Sequence, residues 1–267
     1  VLCAVLVLIL AQFACGPYIP PTNNGSGGGN DGGGNNGGDS GPSSIGLVER
    51  ILQFVWAGPE NSLTEVTPYR DLYNGEAVKI TDGGKAFLDF HNQIQVTLYN
   101  DSHMGGIYGE ADPSLPNFVR MKLIRGGLLG KVVSEGNSTE ISLAFGTTVQ
   151  VLGTTFFVVY DEASGYVSVG NFDGEVYLYP HGGDGIYLGP STAADIPPEG
   201  EVRYHELPND PDLFDTLASE RGSAMEALRE IRRIYEQPLP GESDPTDTPP
   251  TPSFVSRTLL KSEGSYY

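Results

Sequence analysis

The residues whose types and spacing could do chemistry are two D-x-H pairs, Asp89-Phe90-His91 and Asp101-Ser102-His103. Residues two apart on a strand share a face, so each pair would present a carboxylate and an imidazole together. If the intervening segment doubled back, Asp89, His91, Asp101 and His103 could meet around a zinc-like ion. The competing reading is a set of solvated polar residues at a strand edge. Other chemistry is hard to find. The sequence has no G-x-S-x-G, no H-E-x-x-H and no C-x-x-C. Residues 126–131, GGLLGK, come near a phosphate loop but are one residue short and run into Val132, where Ser or Thr is needed. No pair of carboxylates stands out as acid and base. These observations predict a non-enzymatic protein that needs no cofactor.

The elements that would position such residues emerge from composition and patterning. Thirty-six glycines and 20 prolines in 267 residues are too many for one compact fold throughout, so part of the chain is linker. The formal charge of -19 argues against a nucleic-acid partner, which needs a basic patch. Cys3 and Cys15 are the only cysteines, which leaves the body without a disulfide, a thiolate metal site or a thiol nucleophile.

The N-terminal run through Ala14 is apolar except for Gln12, about the length of a signal-peptide core and short of the ~20 residues that span a bilayer. Phe13-Ala14-Cys15-Gly16 then matches a lipoprotein cleavage site, with Gln12 in place of the usual leucine. Residues 1–15 are expected to be an export signal, with lipid carried on Cys15. The alternative is an ordinary secretory signal. Residues 16–44, rich in Gly, Asn and Ser, cannot bury enough apolar surface to fold. A flexible chain of ~28 residues spans roughly 30 Å, enough to hold a domain clear of a membrane. The expected location is the extracytoplasmic side of a bacterial envelope, anchored by lipid on Cys15 rather than by a transmembrane helix.

Residues 45–68 form an apolar lead-in that fits a helix, through Leu47, Ile51, Phe54 and Val55, or a strand; the helix is favoured. From Tyr69 the pattern is β. Ala86, Leu88 and Phe90 alternate, then Ile94, Val96 and Leu98, then Val119, Met121 and Leu123, then Ile141, Leu143 and Phe145. Residues 103–116 look like an insertion loop. The strongest pattern is TVQVLGTTFFVVY at 148–160, where the apolar parity changes at Gly153-Thr154, which predicts a bulge keeping both halves facing inward. After a turn, Val167 and Val169 and then Val176 and Leu178 continue the alternation.

Taken in order, these motifs resemble the FecR-domain family over residues 69–179. The resemblance rests on Thr81, Gly84, Ala86, Leu88 and Phe90, on the strand closing at Arg125-Gly126, and on V-x-V-L-G-T-x-F-x-V with Gly153, Thr154 and Phe156. Its last motif is D/E-G-x-V, at Asp173, Gly174 and Val176. Asn171 departs from the apolar residue usual there. The resemblance implies an all-β domain over 69–200, a twisted β-sandwich or solenoid-like stack of short strands. It also implies a module that binds or relays signals outside the cytoplasm, with another envelope protein as partner.

Residues 201–237 hold a connector and one amphipathic helix that starts at Asp210-Pro211 and repeats Leu213, Leu217, Ala224, Leu228 and Ile231, with Gly222 a weak point. Its docking on its own domain is the expectation, and a partner-binding helix the alternative. Residues 238–267 read as a Pro/Thr-rich linker and tail. Tyr177 and Tyr179 should share the outer face of their strand, where they could stack on sugar rings in a carbohydrate-binding module.

Overall fold

The computed structural model describes residues 42–133 and 136–234. Cys15, the expected lipidation site, nearly all of the Gly/Asn-rich segment and the C-terminal tail lie outside the described residues.

Apolar alternation and β-branched runs produce a 15-stranded hydrogen-bonded network. Its strands are β1 (Gly46–Pro59), β2 (Thr64–Glu65), β3 (Tyr69–Leu72), β4 (Glu76–Phe90), β5 (Ile94–Leu98), β6 (His103–Tyr108), β7 (Phe118–Val132) and β8 (Ser138–Ser142). There follow β9 (Thr148–Leu152), β10 (Thr155–Tyr160), β11 (Val167–Asn171), β12 (Glu175–Tyr179), β13 (Ile186–Leu188), β14 (Thr192–Ile196) and β15 (Arg203–Glu206). Two helices close the described chain, α1 (Pro211–Arg221) and α2 (Ala224–Ile234).

The long strands β1, β4 and β7 bend and change partners midway. The first half of β7 pairs with β6 and β8, its second half with β5 and β10. The network therefore folds into two layers. The first runs β1–β4–β6–β7–β8–β9–β12–β13 and the second β1–β4–β5–β7–β10–β11–β14–β15, with β1, β4 and β7 shared. Gly126 makes the turn in β7: its φ is +85°, and a side chain there would meet the Ser102 backbone at 2.5 Å.

Between the layers lies one apolar core, with Val119, Met121, Leu123, Ile141, Val149, Val151, Val176 and Leu178 from the first layer. Leu88, Phe90, Val96, Phe156, Val158, Val167 and Val169 come from the second. A separate core forms on the far side of the second layer, where Phe157, Val159, Phe172 and Ala193 meet Phe214, Leu217, Ala218, Ala227, Leu228 and Ile231 of the helices. β10 is thus buried on both faces, which is why its sequence, TFFVVY, is apolar at nearly every position.

Several expectations are corrected. The lead-in at 45–59 is strand rather than helix, so β structure starts at Gly46, ahead of Tyr69. Half of the expected insertion loop is β6, bonded to β4 and β7. Phe145 does not continue a strand: it sits in a 3-10 turn at φ +57° and is 54 % exposed. The parity change at Gly153-Thr154 is a crossing between layers and not a bulge, since β9 pairs with β8 and β12 while β10 pairs with β7 and β11. Val149 and Phe156 still reach the same core, from opposite sides. The single helix is two helices. Gly222 takes the left-handed conformation (φ +76°) that ends α1, and Ser223 starts α2 by accepting the Glu226 amide at 3.1 Å.

Candidate binding face

The helices are fixed to the second layer by two polar clusters as well as by their apolar sides. On α1, Asp215 accepts from Lys85 Nζ at 2.8 and 3.1 Å and from the Tyr99 hydroxyl at 2.7 Å. Burial, together with the Asp215 charge beside it, pushes the Tyr99 phenol far above its usual range, so it stays a neutral donor. On α2, buried Arg232 bonds buried Asp195 of β14. The same carboxylate takes the Ser168 hydroxyl at 2.6 Å and His205 Nε2 at 2.7 Å. Burial disfavours the Asp195 charge, but bonds from His205 and Arg232 outweigh it and hold the carboxyl below its ordinary value.

Ser168, His205 and Asp195 have the residue types of a hydrolytic triad without its wiring. Ser168 and His205 each bond a different oxygen of Asp195, whereas a nucleophile must bond its base. Arg232 completes a structural hub. Its one local trace is the acid Asp195 inside the mostly apolar TAADI strand.

Among the described residues no helix covers the outer side of the first layer. Its side chains fall in register across the strands. One row reads Tyr108 (β6), Arg120 (β7), Glu140 (β8), Gln150 (β9), Tyr177 (β12) and Tyr187 (β13), each paired with the next. Beside it run Phe118, Ser138, Leu152 and Glu175 on one side, and Lys122, Ser142, Thr148 and Tyr179 on the other. Tyr108, Phe118 and Tyr187 are 49, 42 and 50 % exposed. The Tyr177 and Tyr187 rings lie 5.6 Å apart, and the Arg120 guanidinium sits 5.8 Å from the Phe118 ring. Neither Arg120 nor Lys122 forms an ion pair with any described residue. Partial burial, with Glu175 nearby, raises the Tyr177 phenol and keeps it protonated.

The structure disperses the D-x-H residues. Asp89 lies near the end of β4, and its carboxylate accepts the Asn92 amide at 2.7 Å; burial, the larger influence, raises its pKa against that bond. His91 and Asp101 both have positive φ, which breaks the extended alternation the two pairs would need. β5 separates them by about 13 Å or more at ~3.3 Å per residue. His103 instead lies 2.9 Å from Glu60. Among the described residues no group of three or more His, Cys, Asp or Glu could hold a metal.

The resemblance residues Thr154, Asp173 and Gly174 meet at the layer crossing. The Thr154 hydroxyl is within 2.7 Å of Asn171 Oδ1 and 2.9 Å of Asp173 Oδ1, and Asp173 also accepts the Thr155 amide at 2.7 Å. Asn171, fully buried, donates to the carbonyls of Gly174 at 3.1 Å and Leu188 at 2.8 Å. The residue that departs from the apolar pattern is therefore the tie between β11, the loop after β9, the turn before β12 and the end of β13. Gly126 holds the β7 bend, and buried Phe156 packs its ring over Gly130. All of these positions are structural. Tyr177 and Tyr179 do share a face, but Tyr177 pairs with Tyr187 of β13, a residue the sequence reading did not assign to the row, while the Tyr179 ring packs on Gly185.

No family model matches the chain, and no curated protein matches it. Among solved structures it is similar to two crystal structures, each of a proposed anti-sigma factor from Parabacteroides distasonis ATCC 8503. Both are 18 % identical with a TM-score of 0.43. One match covers 53 % of this chain and 63 % of the other, the second 60 % and 75 %.

Proposed function

We propose that this protein is a non-enzymatic binding module of a cell envelope, acting in protein binding or extracytoplasmic signal relay, and that the open face of the first layer is its working surface. The observation that supports this is the asymmetry between the layers. The second layer is closed by helices that an apolar core and two polar clusters hold down, whereas the first presents exposed aromatic and cationic side chains in register. Lipid on Cys15 would tether the module, with the Gly/Asn-rich segment as spacer. A photocrosslinking amino acid at Glu175, on the open face, should capture a partner in intact envelopes. The same group at Glu226, exposed on α2, should not. Capture from Glu226 alone contradicts the proposal.

Carbohydrate recognition is a second reading, favoured by one observation: the aromatic rings lie at the two margins of the face and its centre is polar apart from Leu152.

A further inference from the structure

We infer that the open face binds an acidic polysaccharide, its sugar rings lying on the marginal aromatics and its carboxylates meeting Arg120 and Lys122; this rests on that face being the binding surface. Protein interfaces place aromatic and aliphatic anchors at the centre, inside a polar rim. This face is built the other way round. Tyr108 and Phe118 stand at one margin and Tyr177 and Tyr187 at the other, while Ser138, Glu140, Ser142, Thr148 and Gln150, with Leu152 the one apolar residue among them, fill the middle. At ~4.8 Å per strand, Tyr108 and Tyr177 are roughly 19 Å apart across β7, β8 and β9. An extended ligand crossing the strands would meet ring, cation, carboxylate, amide and ring in that order, whereas a compact ligand would reach only one margin.

Charge decides the class of glycan. The chain carries -19, yet the outward side chains of β7 after Phe118 are Arg120 and Lys122, neither ion-paired to a described residue. Glu140 stands opposite Arg120 in the row and Glu175 lies at the far margin, so the carboxylates of a chain crossing the strands are best placed over β7, with its neutral ring faces over the tyrosines. A uronic-acid polymer supplies both halves of this match, apolar ring faces for stacking and carboxylates for charge-assisted bonds to Arg and Lys.

Calorimetric titration of the full chain with polygalacturonate, dextran and polyglutamate tests the inference. Polygalacturonate should bind and dextran should not. Arg120→Ser with Lys122→Ser should weaken binding at least tenfold. So should Tyr177→Ala with Tyr187→Ala, with Tyr187→Ala alone as the milder variant should the pair unfold. Arg229→Ser on α2 should change nothing. Absence of polygalacturonate binding overturns the inference, as does equal binding of polyglutamate that ignores the tyrosine substitutions. If either occurs while Glu175 still crosslinks in envelopes, the face remains the working surface and only its ligand is misassigned. If Glu175 captures nothing, the broader reading falls too.

Discussion

The two outer faces of this protein are made by the same strands and treated oppositely. β7 contributes to both: its first half turns Phe118, Arg120 and Lys122 to solvent, and its second half lies under α2, where Gly127 meets Ala224. On the covered side, ordering is enforced by stacked rings, Phe157 on Phe214 at 4.7 Å and 6°, and by a buried Asp195–Arg232 pair. On the open side, side chains meet mainly as cross-strand neighbours. The difference shows that the helices serve to close one layer and leave the other free, so damage to the covered side should cost stability and damage to the open side should cost binding.

The largest effect should come from Phe214→Ala. It removes a fully buried ring from the stack and should lower unfolding free energy by about 3–5 kcal/mol in a urea titration. A loss below about 1 kcal/mol would mean the helices are not integral to the second layer.

Arg232→Met should cost slightly less, about 3 kcal/mol, because it strips a buried carboxylate of its cation while preserving volume. The same site sets a pH dependence. The folded pKa of Asp195 is depressed, so its contribution is present above the unfolded value of about 3.9 and is lost as pH falls through the folded value. Comparing Asp195→Asn with the natural chain across pH 7 to 3, the advantage of the natural chain should shrink only below about pH 4. A gap that persists unchanged to pH 3 would sever the pair from the account.

Gly222→Ala should cost about 1 kcal/mol, because the left-handed backbone is strained for alanine while no neighbour lies within 4 Å of the new methyl. On the open face, Arg120→Ser with Lys122→Ser should move stability by no more than about 0.5 kcal/mol. A larger loss would make that face structural and erase the contrast.

How far the sequence foretells this depends on whether a feature is local. The alternation that buries Val149, Val151, Phe156 and Val158 is visible residue by residue, and so is the start of α1 at Asp210-Pro211, where the Asp210 carboxylate accepts the Leu213 amide. The burial of Phe157 and Val159 is not, because it is imposed by helices some 55 residues later. Asn171 reads as a flaw in an apolar pattern until its partners at Thr154 and Leu188 are in place. The open row escapes notice for the same reason. Tyr108, Arg120, Gln150 and Tyr187 come from different strands and share a line only through register, which no single segment encodes. The D-x-H pairs err in the opposite direction: a local pattern suggested ligands, and positive φ at His91 and Asp101 turned them apart.

The central claim, that a partner occupies the first layer and leaves the helices bare, can be read from thiol accessibility, since the body carries no cysteine. Glu175→Cys and Arg229→Cys are placed singly in the full chain, and the rate of maleimide labelling is compared between native envelopes and detergent-extracted, purified protein. The account predicts that Glu175→Cys labels at least several-fold more slowly in the envelope while Arg229→Cys labels at the same rate in both. Slowing at Arg229→Cys with Glu175→Cys unaffected would contradict it.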